Sequence, residues 1–221
     1  RQYLWLIIVL IFNMSSAFFN SFAVLFVAID AAGIGPLFLL LTEGATRKQR
    51  FKIAIKASLI SFIVLIIFAY GGKFFFNWIG VSIDSLKIAG GIILFIISIE
   101  MLLDKRRLRR EESANKVLHE KTLEEIAIFP LAIPLIAGPA ALTSVLLLVN
   151  ASSKHPEKLI MVYVALTAVM IVTFFHMIFS AILANYTSKN ILNVFSRVIA
   201  LILASLAIQF IVDGIKSSFG F

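Results

Sequence analysis

A long apolar run at the start of the chain constrains the fold more than any other feature. Residues 3–29 contain no charged side chain, and about 20 apolar residues suffice to cross a bilayer as a helix. Comparable runs recur along the sequence, so that hydrophobic residues make up 61% of it and charged residues only 14%. A soluble domain carries about 25% charged residues. The chain is therefore predicted to be an all-α integral membrane protein.

The apolar runs divide into six predicted transmembrane helices, which form a single transmembrane domain over residues 1–221. Residues 1–104 hold the first three helices, residues 126–221 hold the last three, and a basic cytoplasmic loop over 105–125 connects them. Most of the 20 lysines and arginines lie in the first, third and fifth loops. The positive-inside rule places these loops in the cytoplasm, so both termini are expected outside a plasma or bacterial inner membrane.

The basic loop is expected to act mainly as a solvated anchor for this topology. The net charge is +8, which in a soluble protein would suggest a nucleic-acid partner. Here the positive charges flank apolar runs, so the expected partner is the lipid bilayer and not nucleic acid.

The two halves of the chain resemble each other weakly. Gly35-Pro36 in the first helix corresponds to Gly138-Pro139 in the fourth, and residues 88–100 in the third align with residues 197–209 in the sixth. Because each half has an odd number of helices, the second half must enter the membrane from the opposite side. The sequence thus predicts two inverted-topology three-helix repeats, an architecture associated with alternating access.

Helix-breaking residues interrupt the first and fourth predicted helices. Proline removes a backbone donor and glycine tolerates unwound dihedral angles, so each break frees backbone groups that must face protein or a wet cavity. Pro36 and Pro139 are each expected to open a half-helix whose N–H groups suit a small anion such as an amino-acid carboxylate. The unwound carbonyl groups suit an ammonium group or a cation.

Asp30 is the only acid deep within the apolar regions, where a carboxylate is costly. Two roles are open: contact with a substrate, proton or cation, and capping of the N–H groups of its own break. The candidate substrate-binding residues gather around the two breaks: Asp30, Ala31, Gly33, Gly35, Pro36, Ala137, Gly138, Pro139 and Thr143.

Four short sequence motifs follow one another along most of the chain. They are Asp30, Gly33, Pro36 and Phe38; Thr42, Arg47 and Arg50; Ala89, Gly90 and Gly91; and Pro130, Leu131, Pro134, Gly138 and Pro139. In this order and spacing they resemble the MarC family of six-span membrane proteins, with Ala31 and Ala140 standing where the family has proline and glycine. The resemblance implies a plasma-membrane transporter whose substrates are neutral amino acids such as glycine or alanine.

A secondary transporter for a small zwitterion is therefore the predicted function, and a channel or passive exporter of small polar solutes is the alternative. An enzyme is disfavoured, because the chain has no cysteine, only three histidines, and neither an HExxH nor a Gly-x-Ser-x-Gly pattern. No cofactor is expected, and the coupling ion, proton or sodium, is left open.

Overall fold

A computed structural model describes residues 2–103, 105–118, 123–186 and 189–220 of the chain. These residues form helices and connecting turns, with no strand among them. The helices are α1 (Gln2–Ile29), α2 (Ile34–Leu41), α3 (Arg47–Trp78), α4 (Ile83–Leu102), α5 (Lys105–Leu118), α6 (Leu123–Ile126), α7 (Pro139–Ser152), α8 (Pro156–Tyr186) and α9 (Lys189–Phe219). An irregular segment, Ala127–Ile136, precedes α7 and is called the Pro-rich segment below.

Five helical stretches in the described part of the chain are long and apolar enough to cross a membrane. They are Met14–Leu41, which combines α1 and α2, Arg47–Trp78, Ile83–Leu102, Pro156–Ser180 and Ala200–Phe219. The Pro-rich segment and α7 meet at an angle of 54° and give a sixth if they are counted as one broken span. The predicted all-α membrane fold is therefore confirmed, with five or six spans.

Two clusters of buried apolar side chains hold the helices together. The larger joins α1, α2, α3, the Pro-rich segment, α7 and α8, and includes Leu25, Leu65 and Leu166. The smaller joins α1, α4, α7 and α9 through residues such as Leu94 and Leu203. Large apolar side chains on the outer faces of α3 and α8 remain exposed, as expected for surfaces that contact lipid.

The first break is a tight turn centred on Asp30, which adopts a left-handed conformation with φ of 60°. The backbone N–H of Ala31 donates to the Phe26 carbonyl, and the Asp30 N–H donates to the Val27 carbonyl. This pair of bonds is a Schellman motif, which ends α1 and satisfies two of its last carbonyl groups. Helix α2 then begins at Ile34, so the prediction that Pro36 opens this half-helix is wrong by two residues.

The second break is longer, because two prolines disrupt the turns before α7. Phe129 and Ile133 have extended dihedral angles, and each precedes a cis proline peptide bond, to Pro130 and Pro134 respectively. Gly138 is also extended, and α7 begins at Pro139 as the sequence predicts. Proline is favoured there because the first position of a helix has no partner for its N–H in any case.

Helices α4 and α9 run antiparallel and approach each other closely. A Cβ atom added to Gly91 would lie 2.7 Å from the Ala207 carbonyl oxygen and 2.6 Å from Cγ1 of Ile211. At the other end of the contact, a Cβ on Gly214 would lie 2.8 Å from Cγ1 of Ile88. Small residues allow such backbone approach in membrane helices.

This contact predicts opposite effects for two glycine-to-alanine substitutions. Gly91→Ala should lower the free energy of unfolding by about 1–3 kcal/mol, because the new methyl group overpacks the α4–α9 contact. Gly71→Ala in α3 should raise it by about 0.4–1 kcal/mol, because the unfolded chain loses freedom and no described atom lies within 4 Å of the added Cβ. Denaturant unfolding in detergent checks both, and equal shifts would contradict the close contact.

Candidate functional site

Two arginines of α5 reach the first break from outside the candidate spans. Nη2 of Arg106 donates to the Ala28 carbonyl at 3.0 Å, and Nη1 of Arg110 donates to Oδ2 of Asp30 at 3.0 Å. Nε of Arg106 lies 3.9 Å from the same carboxylate oxygen. The arginines are four residues apart, so they lie on one face of α5.

Arg110 also reaches the second break. Its Nη2 donates to the carbonyl of Leu135, in the Pro-rich segment, at 2.9 Å. One guanidinium group therefore joins the carboxylate of Asp30 at the first break to a backbone carbonyl at the second. The planar, forked geometry of arginine suits such a double contact.

Both oxygen atoms of Asp30 are engaged. Oδ1 accepts a hydrogen bond from the backbone N–H of Gly33 at 3.2 Å, and Oδ2 accepts from Arg110. The same Gly33 N–H also donates to the Asp30 carbonyl at 3.0 Å, so the first contact reinforces a turn hydrogen bond within the break. The second is an ion pair in which the side chains of Arg110 and Asp30 are 11% and 19% exposed.

Burial lowers the pKa of both arginines, and Arg106 stays charged. Loss of hydration lowers the pKa of Arg106 to about 10, the neighbouring charge of Arg110 acts in the same direction, and the charge of Asp30 opposes both. Burial likewise lowers the pKa of Arg110, again opposed by Asp30. A pKa near 10 leaves Arg106 protonated at neutral pH, so its contacts with Ala28 and Asp30 are those of a cation.

A cavity of about 640 Å³ lies between α4, α5, the Pro-rich segment and the start of α7. It combines an apolar wall with charged groups and with the N-terminal end of a half-helix. Its lining comprises Ala28, Ile93, Ile96, Ile97, Glu100, Arg106, Arg109, Arg110, Phe129, Pro130, Pro134, Leu135, Gly138, Pro139 and Ala140. Glu100 and Arg109 form an ion pair across 2.7 Å, and the Arg109 side chain is 64% exposed.

The predicted residues of the second break lie at or beside this cavity. Gly138 and Pro139 line it, and Ala137, only 1% exposed, is packed in the core. A Cβ on Gly138 would clash with the Pro134 carbonyl oxygen, so this position requires glycine. Thr143 is turned toward α4, where its methyl group lies against Gly90.

The predicted residues of the first break are outside the described lining of the cavity. Asp30 is connected to it through Arg106 and Arg110. Ala31 is buried with 1% exposure, whereas Pro36 is exposed on α2. Gly33 donates to Asp30, and Gly35 lies on the opposite side of the break, against α8.

His176 of α8 packs against this turn. A Cβ on Gly35 would lie 2.5 Å from Cδ2 and Nε2 of His176, so the imidazole occupies the space that a side chain would take. His176 is also hydrogen-bonded to the backbone of Ala32. Both observations favour a structural role for His176 at the first break.

Comparison with known proteins agrees with this architecture. The model of a family described as MarC family integral membrane protein matches residues 15–219. The chain belongs to the MarC family.

Three relatives illustrate the match. A UPF0056 membrane protein of Archaeoglobus fulgidus is 38% identical over 90% of this chain and 92% of its own length. A UPF0056 membrane protein of Pyrococcus abyssi is 35% identical over 91% of this chain and 97% of its own length. The UPF0056 membrane protein YvbG of Bacillus subtilis is 33% identical over 93% and 97% respectively. No solved structure matches the chain.

The α5 arginines of this MarC protein are the residues of the site that the sequence analysis missed. The segment 105–125 is predicted as a solvated loop, yet its residues 105–118 form α5, and Arg106 is only 5% exposed. Two signals point to them: the spacing of four residues between Arg106 and Arg110, and the need of the buried Asp30 for a cationic partner. Asp104, His119 and Lys121, in or beside the same segment, lie outside the described residues.

The double contact of Arg110 predicts an unequal effect of two matched substitutions. Arg110→Met should lower the free energy of unfolding by about 3 kcal/mol, because it leaves the Asp30 carboxylate without its closest cation. Lys48→Met in α3 should change it by at most about 0.5 kcal/mol, because Lys48 is exposed and surface substitutions have small effects. Thermal unfolding of both purified variants measures the difference, and equal losses of stability would contradict the large contribution expected of Arg110.

Proposed function

We propose that this MarC protein is a secondary transporter of small neutral amino acids, such as glycine or alanine, in the plasma or bacterial inner membrane. The observation that carries the proposal is the cavity at the second break. It offers, in one space, the positive end of a half-helix, guanidinium groups, a carboxylate and an apolar wall. A zwitterion with a small apolar side chain uses all of these features.

The start of α7 supplies the carboxylate part of the site. The first intrahelical hydrogen bond there runs from the Leu142 N–H to the Gly138 carbonyl. The N–H groups of Ala140 and Ala141 precede it and therefore have no acceptor within the helix. Such N–H groups and the helix dipole together favour an anion.

We further propose that the chain consists of two inverted three-helix repeats with six spans, and that transport proceeds by alternating access. The α4–α9 contact supports this arrangement. The alignment of residues 88–100 with 197–209 makes Leu94 equivalent to Leu203, and both lie in one buried cluster where the antiparallel helices cross. Two helices related by a two-fold axis in the membrane plane would meet at equivalent residues.

Transport is tested in proteoliposomes by counterflow. Vesicles preloaded with unlabelled alanine should take up labelled alanine several-fold faster than empty vesicles, because a carrier exchanges one substrate for another. Equal rates in preloaded and empty vesicles would indicate the alternative, a channel or passive exporter. No alanine or glycine flux in either case would overturn the proposed substrate class.

Two alanine variants link this flux to the second break. Gly138→Ala should abolish most of the counterflow, since the added methyl group displaces the Pro134 carbonyl at the cavity wall. Gly71→Ala, which introduces the same group at an open position of α3, should transport as the parent protein does.

The proposed orientation, with both termini outside, predicts the accessibility of α5. The chain has no cysteine, so Ser113→Cys introduces a single thiol into this helix. A membrane-impermeant maleimide should label it in inside-out vesicles and leave it unlabelled in intact cells. Labelling of intact cells would reverse the orientation.

A further inference from the structure

Glu100, near the C-terminal end of α4, carries a carboxylate oxygen with no hydrogen-bond partner among the described residues. Its Oε1 accepts from Nη1 of Arg109 at 2.7 Å. Its Oε2 is buried and has no partner among the described residues. Buried polar atoms in proteins are nearly always hydrogen-bonded, and a charged oxygen gains most from a donor. An unused acceptor on a group that lines a cavity indicates a donor that arrives with a ligand.

We infer that Oε2 of Glu100 accepts the ammonium group of the transported solute and thereby selects zwitterions over simple carboxylic acids. This inference rests on the proposed function, since it assigns one residue of the same cavity. The ligand is an α-amino acid whose ammonium group donates to Glu100 and whose carboxylate faces the N-terminal end of α7.

Asp30, the carboxylate singled out by the sequence, lacks this capacity. Its two oxygens already accept from Gly33 and Arg110, and it is not part of the described cavity lining. A ligand ammonium would have to displace Arg110 to reach it. Oε2 of Glu100 has no such contact to displace, because Arg109 uses only the other oxygen, and a rotation of the Glu100 side chain would turn it from its buried position into the cavity that Glu100 lines.

The surroundings of Glu100 define the side chain that the ligand carries. The cavity wall beside it is formed by Ile93, Ile96 and Ile97, which lie on one face of α4, and by Pro130 of the Pro-rich segment. A basic side chain would lose hydration against this wall and would face the arginines of the cavity instead of a partner. The cavity therefore fits apolar amino acids better than basic ones.

The test compares Glu100→Gln with the parent protein in detergent, using L-alanine, propionate and ethylamine as probes in thermal-shift titrations. Propionate lacks the amine of alanine, and ethylamine lacks its carboxylate. The glutamine keeps the shape of the side chain and an oxygen for Arg109, but it loses the charge. Glu43→Gln, at an exposed position after α2, is the matched control.

The loss of a charge-assisted hydrogen bond predicts that Glu100→Gln binds alanine about tenfold to hundredfold more weakly than the parent protein. Stabilisation by ethylamine should disappear, and any effect of propionate should be retained. The ligand-free unfolding midpoint should change little, because the glutamine keeps an oxygen for Arg109 and a partly exposed ion pair contributes little to stability. Glu43→Gln should match the parent protein with all three probes.

The two levels of the proposal fail in different ways. If the parent protein binds and exchanges alanine and Glu100→Gln does so with the same affinity, the assignment of Glu100 is overturned and the transport function stands. If the parent protein neither binds nor exchanges alanine, the proposed function falls, and ethylamine then decides whether Glu100 is a cation-binding group. A lower ligand-free midpoint with unchanged binding would make Glu100 structural. If Glu100→Gln does not fold, Glu100→Asp replaces it, because aspartate keeps the charge but is shorter by one methylene. Glu100→Asp should then bind alanine more weakly and propionate as before. Any other result would overturn the assignment of Glu100.

Discussion

The fold depends on satisfying the backbone groups that the two helix breaks release inside an apolar bundle. Hydrocarbon cannot hydrogen-bond a free carbonyl, so each break requires a donor from elsewhere in the protein. Arg106 supplies one to Ala28, and Arg110 supplies one to Leu135. The charged helix α5 is thus bound to the bundle by the same groups that make the breaks possible.

The position of Arg110 has a mechanical consequence. Its two hydrogen bonds end on different breaks, one on the Asp30 side chain and the other on the Leu135 carbonyl. Any motion that separates the two breaks must lengthen at least one of these two hydrogen bonds and leave a charged or polar group without its partner. The cost of losing such a contact is high where water is excluded. Motion of the half-helices and displacement of α5 are therefore coupled through one side chain.

Much of the fold follows from the sequence, because its strongest signals are local. The apolar runs predict the long helices, and Gly138-Pro139 predicts the start of α7. The start of α2 is missed, because Asp30 adopts the left-handed turn conformation that glycine usually provides. The α5 arginines and the cavity are also missed. Arg110 and Asp30 are separated by 80 residues, and no local pattern predicts which cation reaches a buried acid across that distance.

The two carboxylates show why the site needed the structure as well as the sequence. A buried acid in a membrane protein suggests function by default, and this argument points to Asp30. The hydrogen bonds divide the roles differently: Asp30 holds its own turn and α5, whereas Glu100 retains one oxygen with no partner among the described residues. Burial measures how much a charge needs partners, and the number of partners already present determines what it can still bind. By that criterion the proposed ligand contact falls to Glu100, while the described partners of Asp30 lie in its own turn and on α5.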